Sequence, residues 1–121
     1  MVVWVALAGA CGAVARYLVH ASVQSRVGGL FPVGTVVINL SGSFVLGFLA
    51  GLVIYQGFDP DLRTIVGTGF LGGYTTFSSY SYETLGLFED RAPTAAVVNA
   101  VGSVIVGLAA AAVGLGLATL V

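Results

Sequence analysis

Residues 27–58 and 92–121 of this chain contain no Asp, Glu, Lys or Arg. Each run is longer than the roughly 20 apolar residues a helix needs to cross the hydrocarbon core of a bilayer. Two further charge-free runs, residues 2–15 and 64–82, are shorter, and the first continues past Arg16 toward Ser25. This pattern predicts four membrane-spanning helices joined by short connections. It leaves no room for a separate soluble domain, so residues 1–121 read as one transmembrane domain. Composition agrees. Only 7% of residues are charged, against about 25% in a soluble domain. The predicted class is an all-α, multi-pass protein of the cell membrane.

The spans are expected at about residues 2–23, 33–55, 62–88 and from Pro93 onward. Gly28, Gly29 and Pro32 mark the first turn, and Gly57, Asp59 and Pro60 the second. Pro93 suits the first turn of the last helix. Met1 is followed by no basic stretch, so the first hydrophobic run is expected to be retained rather than cleaved. One cysteine, Cys11, excludes an intrachain disulfide. A net charge of −1 offers nothing to nucleic acid. With four spans, Arg63 lies on the side of both termini, and Arg26 and Arg91 lie on the other, joined by Arg16 if it snorkels. So small an arginine bias sets orientation weakly. The chain can insert one way up or both ways, and an antiparallel pair is one outcome. Four helices alone also make a poor wall around a pathway, so oligomerisation is the expectation.

Polar residues inside the spans mark where function can reside. Thr35, Asn39, Ser43, Gly47 and Gly51 recur at four-residue spacing on the second span. The upper part of this face can hydrogen-bond, and Gly47 with Gly51 forms a small-residue packing motif. Asn39 can be interhelical glue or can line a pathway. The third span carries Gly67, Gly69, Gly72 and Gly73 just before Tyr74, Thr75, Thr76, Phe77, Ser78, Ser79, Tyr80 and Ser81. Glycine costs about 1 kcal/mol per helical position, so this stretch reads as a broken helix or as a glycine-rich packing face. A break in mid-membrane survives only where it is buried or lines a cavity. Phe77, Tyr80, Ser81 and Thr84 then share one helical face. Ring edges are electropositive, so two rings beside hydroxyls form a neutral lining that favours an anion, unless the rings merely pack. Asn99, Ser103 and Gly107 repeat the polar spacing on the fourth span. Glu83 can pair with Arg16, cap backbone groups or face a vestibule. Arg16 can snorkel or draw anions to an entrance. His20 and Cys11 have no partner at metal or catalytic spacing and read as packing or interface residues. No nucleophile, base and acid set is present, which argues against an enzyme.

These residues resemble the CrcB or Fluc family of fluoride channels. The likeness rests on Gly69, Gly72, Gly73, Thr75, Thr76, Phe77, Ser78, Tyr80, Ser81 and Glu83, close to the pattern GxxGGxTTFSTFSxE. Two supporting stretches are Gly9-Ala-Cys-Gly12-Ala13-Val-Ala-Arg16-Tyr17 and Gly34-Thr35-Val-Val-Ile-Asn39-Leu-Ser-Gly42-Ser43-Phe44. The resemblance implies an antiparallel dual-topology dimer with two fluoride pathways and passive export. It implies a sodium ion at the dimer centre, held by the backbone carbonyls of Gly72 and Thr75. It implies that Asn39 contacts the fluoride ion and that Phe77 and Tyr80 line the fluoride path with Ser78 nearby. Arg16 and Glu83 match the family's first-helix arginine and the acid after its signature. Ser43, Ser81 and Ser103 join the candidate lining through the polar faces above.

One departure stands out. The second ring of the motif is usually Phe, and here it is Tyr80. The partner of this chain can therefore be a second copy or a paralogous chain, with this one as the less active subunit. A proton-coupled small-multidrug-type transporter has the same span count. It needs an acid in the first span, where this chain has Arg16. Neutral donors suit a channel for a small, strongly hydrated anion, because a fixed cation in the narrow part would hold the ion too tightly to release it.

Overall fold

The computed structural model describes residues 1–121 and is helical from end to end. Helix α1 spans Val2–Val27. It stops where Gly28 and Gly29 take positive φ values of 67° and 78°, a region open to glycine at little cost. The carboxamide of Gln24 ties this turn back. Its Nε2 donates to the Phe31 carbonyl at 3.2 Å, and its Oε1 accepts from the Gly34 N–H at 3.0 Å. Helix α2 spans Val33–Gln56 and ends on Gly57 in the left-handed conformation.

Helix α3 occupies residues 60–74. Asp59 caps its start by accepting from the Asp61 N–H, and Pro60 fills its first turn. Its middle, Arg63–Leu71, is wound wider than an α-helix, with hydrogen bonds reaching back five residues. The helix ends at Tyr74. Thr75 (φ −80°, ψ 159°) and Thr76 (φ −148°, ψ 123°) are extended. Helix α4 then spans Phe77–Glu89. Helix α5 spans Pro93–Leu120 and contains a second wide turn at Val98–Gly102.

Three helices, α1, α2 and α5, are long and apolar enough to cross a membrane. Helices α3 and α4 are each about 20 Å long at 1.5 Å per residue, short of the roughly 30 Å hydrocarbon core. The first helix continues beyond the expected end near Val23 to Val27, because no breaker precedes Gly28.

The helices touch backbone to backbone. A methyl group on Gly12 would overlap the Phe70 carbonyl, and one on Gly73 would overlap the Gly9 carbonyl. These glycines seat α1 on α3. Gly47 and Gly51 meet Ala111, Leu115 and Ala118 of α5, and Gly114 meets the Phe44 carbonyl of α2. The Gly47/Gly51 pair therefore packs as expected. Apolar burial is slight by comparison. Leu49, Leu52, Leu71 and Ala118 form the one buried cluster, while Leu7, Val14, Ile54, Ile105, Leu108 and many other large apolar residues are exposed. Lipid tails are as apolar as these side chains, so close packing of small residues and hydrogen bonds between helices are what remain to join them.

Candidate functional site

The interruption at Thr75–Thr76 organises the site. In a continuous helix the Thr76 N–H would reach the carbonyl of Gly72. Here it donates to Asn39 Oδ1 at 2.9 Å, and Asn39 Nδ2 donates to the Thr76 carbonyl at 2.9 Å. One carboxamide thus supplies both a donor and an acceptor to the interrupted backbone. Asn39 is therefore interhelical glue, and one hydrogen on Nδ2 remains for another partner. Thr75 turns back on α3, with its N–H and its hydroxyl both donating to the Leu71 carbonyl at 2.8 Å. Its methyl packs on Gly42, where a Cβ would collide with it. Thr76 Oγ1 accepts from the Ser79 N–H at 3.1 Å and caps α4.

Beside the interruption lies an open groove of about 390 Å³. Its lining includes Asn39, Ser43, Gly72, Thr75, Phe77, Tyr80 and Ser103. No charged residue lines it. Phe77 is 79% exposed on its open side, and the Phe77 and Tyr80 rings lie 5.8 Å apart, tilted by 41°. Two of the candidate pathway residues lie outside the groove. Ser78 shares a hydrogen bond with Thr76 Oγ1 at 3.2 Å, and the Ser81 hydroxyl makes no hydrogen bond within the chain.

A second cavity, of about 250 Å³, lies on the other side of Thr76, and Arg16, His20, Thr35, Ser79 and Glu83 line it. Arg16 and Glu83 therefore share a chamber, yet they form no ion pair. Glu83 Oε1 instead accepts from the Thr35 hydroxyl at 3.0 Å and sits 3.7 Å from His20 Nε2. His20 packs on Gly34, where a Cβ would come within 3.0 Å of its ring, and its approach to Glu83 adds a pairing to the packing or interface role read from the sequence. It stands one turn after Arg16, on the same face of α1, which is the signal that could have found it. Glu83 Oε2 is buried and has no partner within the chain.

Helices α4 and α5 share a third polar set. Asn99, 1% exposed, donates to Thr84 Oγ1 at 2.8 Å, and the Thr84 hydroxyl donates to the Tyr80 carbonyl at 2.7 Å. The Ser103 hydroxyl donates to Asn99 Oδ1 at 3.3 Å. The Tyr80 hydroxyl donates to the Ala100 carbonyl. Asn99 was legible as a polar face residue of the last span. Its partner Thr84 was legible as part of the Phe77 face. Their pairing was not, because nothing in either helix sets the rotation of one against the other.

A family model described as "CrcB-like protein, Camphor Resistance (CrcB)" matches residues 3–115. The chain is 47% identical over 115 residues to "Fluoride-specific ion channel FluC 1" of Leifsonia xyli subsp. xyli, covering 95% of this chain and 84% of that one. It is 46% identical over 114 residues to "Fluoride-specific ion channel FluC 2" of Mycobacterium tuberculosis, covering 93% and 87%. It is 40% identical over 121 residues to "Fluoride-specific ion channel FluC" of Nitratidesulfovibrio vulgaris, covering 99% and 98%.

Proposed function

Because this chain belongs to the CrcB-like family, we propose that it is a fluoride-specific ion channel of the cell membrane. The observation that carries the reading is the charge-free groove beside the interrupted helix, lined by an amide, hydroxyls and two aromatic rings. Fluoride entering such a groove exchanges water for weak neutral donors, and none of them holds it as an ion pair would. The interruption adds a field. The start of α4 presents the positive end of its dipole and the end of α3 the negative end. An anion is favoured at the first and a cation at the second. Flow is passive and follows the fluoride gradient outward.

Residues 60–89 form the third of four crossings, in two halves. One chain gives a groove open on one side, and a pore needs a wall all round. The second wall is a second copy inserted the opposite way up, which the small arginine bias permits. Two such grooves then give two pathways per dimer. Phe77 and Gly72, both exposed in the single chain, are the residues such a partner would cover.

A sodium ion fits the end of α3. The Thr76 N–H takes Asn39 rather than the Gly72 carbonyl, and a Cβ on Gly72 would meet nothing within 4 Å. Neutral carbonyl oxygens of Gly72 and Thr75, doubled by the partner, are the hard donors such an ion takes. The chain has no group of three or more His, Cys, Asp or Glu that could hold a metal. When bound, the ion would neutralise carbonyl dipoles at the subunit boundary and fix the two interruptions against each other.

The test is efflux from proteoliposomes containing this chain alone. Fluoride is expected to leave rapidly and chloride to be retained. Equal rates for both ions, or no fluoride flux from a monodisperse preparation, would sink the proposal.

A further inference from the structure

The departure at Tyr80 has a partner on the neighbouring helix. The Tyr80 hydroxyl donates to the carbonyl of Ala100. Ala100 lies in the middle of the wide turn Val98–Gly102 of α5, and a carbonyl oxygen carries two lone pairs, so it can take a side-chain donor beside any backbone bond. Meanwhile the Tyr80 ring lines the groove and tilts against Phe77. A hydroxyl held by α5 cannot also point at the groove, so the face Tyr80 offers there is its ring. Two further bonds brace the same turn of α4. Thr84 holds the Tyr80 carbonyl, and Asn99, the residue before Ala100, holds Thr84.

We infer that Tyr80 is a positioning residue whose hydroxyl, anchored on the Ala100 carbonyl, fixes the orientation of the second ring of the pathway. A free ring samples several staggered χ1 wells and a broad χ2, and only some of these orientations present an edge beside Phe77. The anchor selects one. The same geometry explains how a polar ring stands in an apolar ring's place without putting a hydroxyl in the anion's way. It therefore favours a channel built from two copies of this chain. The inference rests on the fluoride-channel reading for its consequence, but the bond itself can be tested without it.

The experiment is a double-variant cycle. Tyr80→Phe deletes the donor and keeps the ring. Replacing Val101 by its α-hydroxy acid turns the Ala100 carbonyl into an ester carbonyl, a weaker acceptor, and changes no side chain. The same backbone change at Val113 is the control. Thermal unfolding and fluoride efflux per folded dimer are read for each protein and for the combination. Each single change is expected to lower efflux by roughly fivefold, the value of one ordinary hydrogen bond. The combination should lower it no further, since both changes remove one interaction. Effects that multiply in both readouts would show that Tyr80 and Ala100 act apart, and the inference falls. Coupled unfolding with unchanged efflux in every variant leaves the bond but overturns its role in positioning. If the unmodified protein passes no fluoride, the fluoride reading fails, and the positioning inference falls with it even where unfolding stays coupled.

Discussion

Asn39 holds Thr76 by two antiparallel hydrogen bonds of 2.9 Å, one to its N–H and one to its carbonyl. Thr76 is 8% exposed, so neither group has ready access to another partner. Asn39→Ala strands both. Each unsatisfied buried group costs about 1–3 kcal/mol, and the variant should unfold at markedly lower temperature in detergent. Asn39→Asp keeps the acceptor, loses the donor and places a carboxylate beside the groove. Its fluoride efflux should fall to the level of empty liposomes. Wild-type efflux from the Asp variant would remove this residue from the pathway.

The hydroxyl of Thr76 makes a smaller contribution that can be separated from the first. Thr76→Val preserves shape and removes the cap on the Ser79 N–H. The loss should be about 1 kcal/mol, and Thr76→Ser should recover most of it. Calorimetry on the three proteins, compared with Asn39→Ala, ranks the cap against the carboxamide bridge.

Glycine seams predict opposite outcomes at positions that look alike in sequence. Gly73→Val drives a side chain into the Gly9 carbonyl, and gel filtration should show aggregation or loss of the folded species. Gly116 lies in a helix with nothing within 4 Å of a would-be Cβ. Gly116→Ala should be tolerated and should gain up to about 1 kcal/mol from helix propensity. A tolerated Gly73→Val would mean that α1 does not seat on α3 as described.

Glu83 connects three elements, and its neighbours differ in what they lose without it. Thr35 is 1% exposed and donates its hydroxyl to Glu83 Oε1. Glu83→Ala leaves that hydroxyl without an acceptor and should cost about 1–3 kcal/mol. Glu83→Gln keeps an acceptor oxygen and should cost less. His20→Ala removes a longer contact from a partly exposed side chain and should change stability by under about 1 kcal/mol. Unfolding midpoints of the three variants check the order.

Much of this is legible in the sequence, and the limits have physical causes. Charge-free runs bracket α2 and α5, because hydrophobic length is a one-dimensional property, whereas α1 outruns its own run, since Arg16 and Arg26 lie within it. Glycine density marked the region of residues 67–76 as unusual, and turn residues marked every connection. What could not be read was rotation. Nothing in α2 alone says that Asn39 faces Thr76, and nothing in α1 says that His20 faces Glu83. The wide turn at Val98–Gly102 left no trace either. Val, Asn, Ala, Val and Gly are ordinary residues for such a helix.

The bridge between Asn39 and Thr76 also orders events in time. Asn39 precedes Thr76 by 37 residues, so the ribosome delivers the carboxamide before it delivers the interruption. If residues 60–89 cross the membrane as proposed, the helix that carries the partner of Thr76 has already been made when this irregular backbone leaves the insertion machinery. On that reading the Thr76 peptide group meets its partner without first facing hydrocarbon. A rearranged gene that placed α2 after the interruption would encode the same contacts in the wrong order of synthesis.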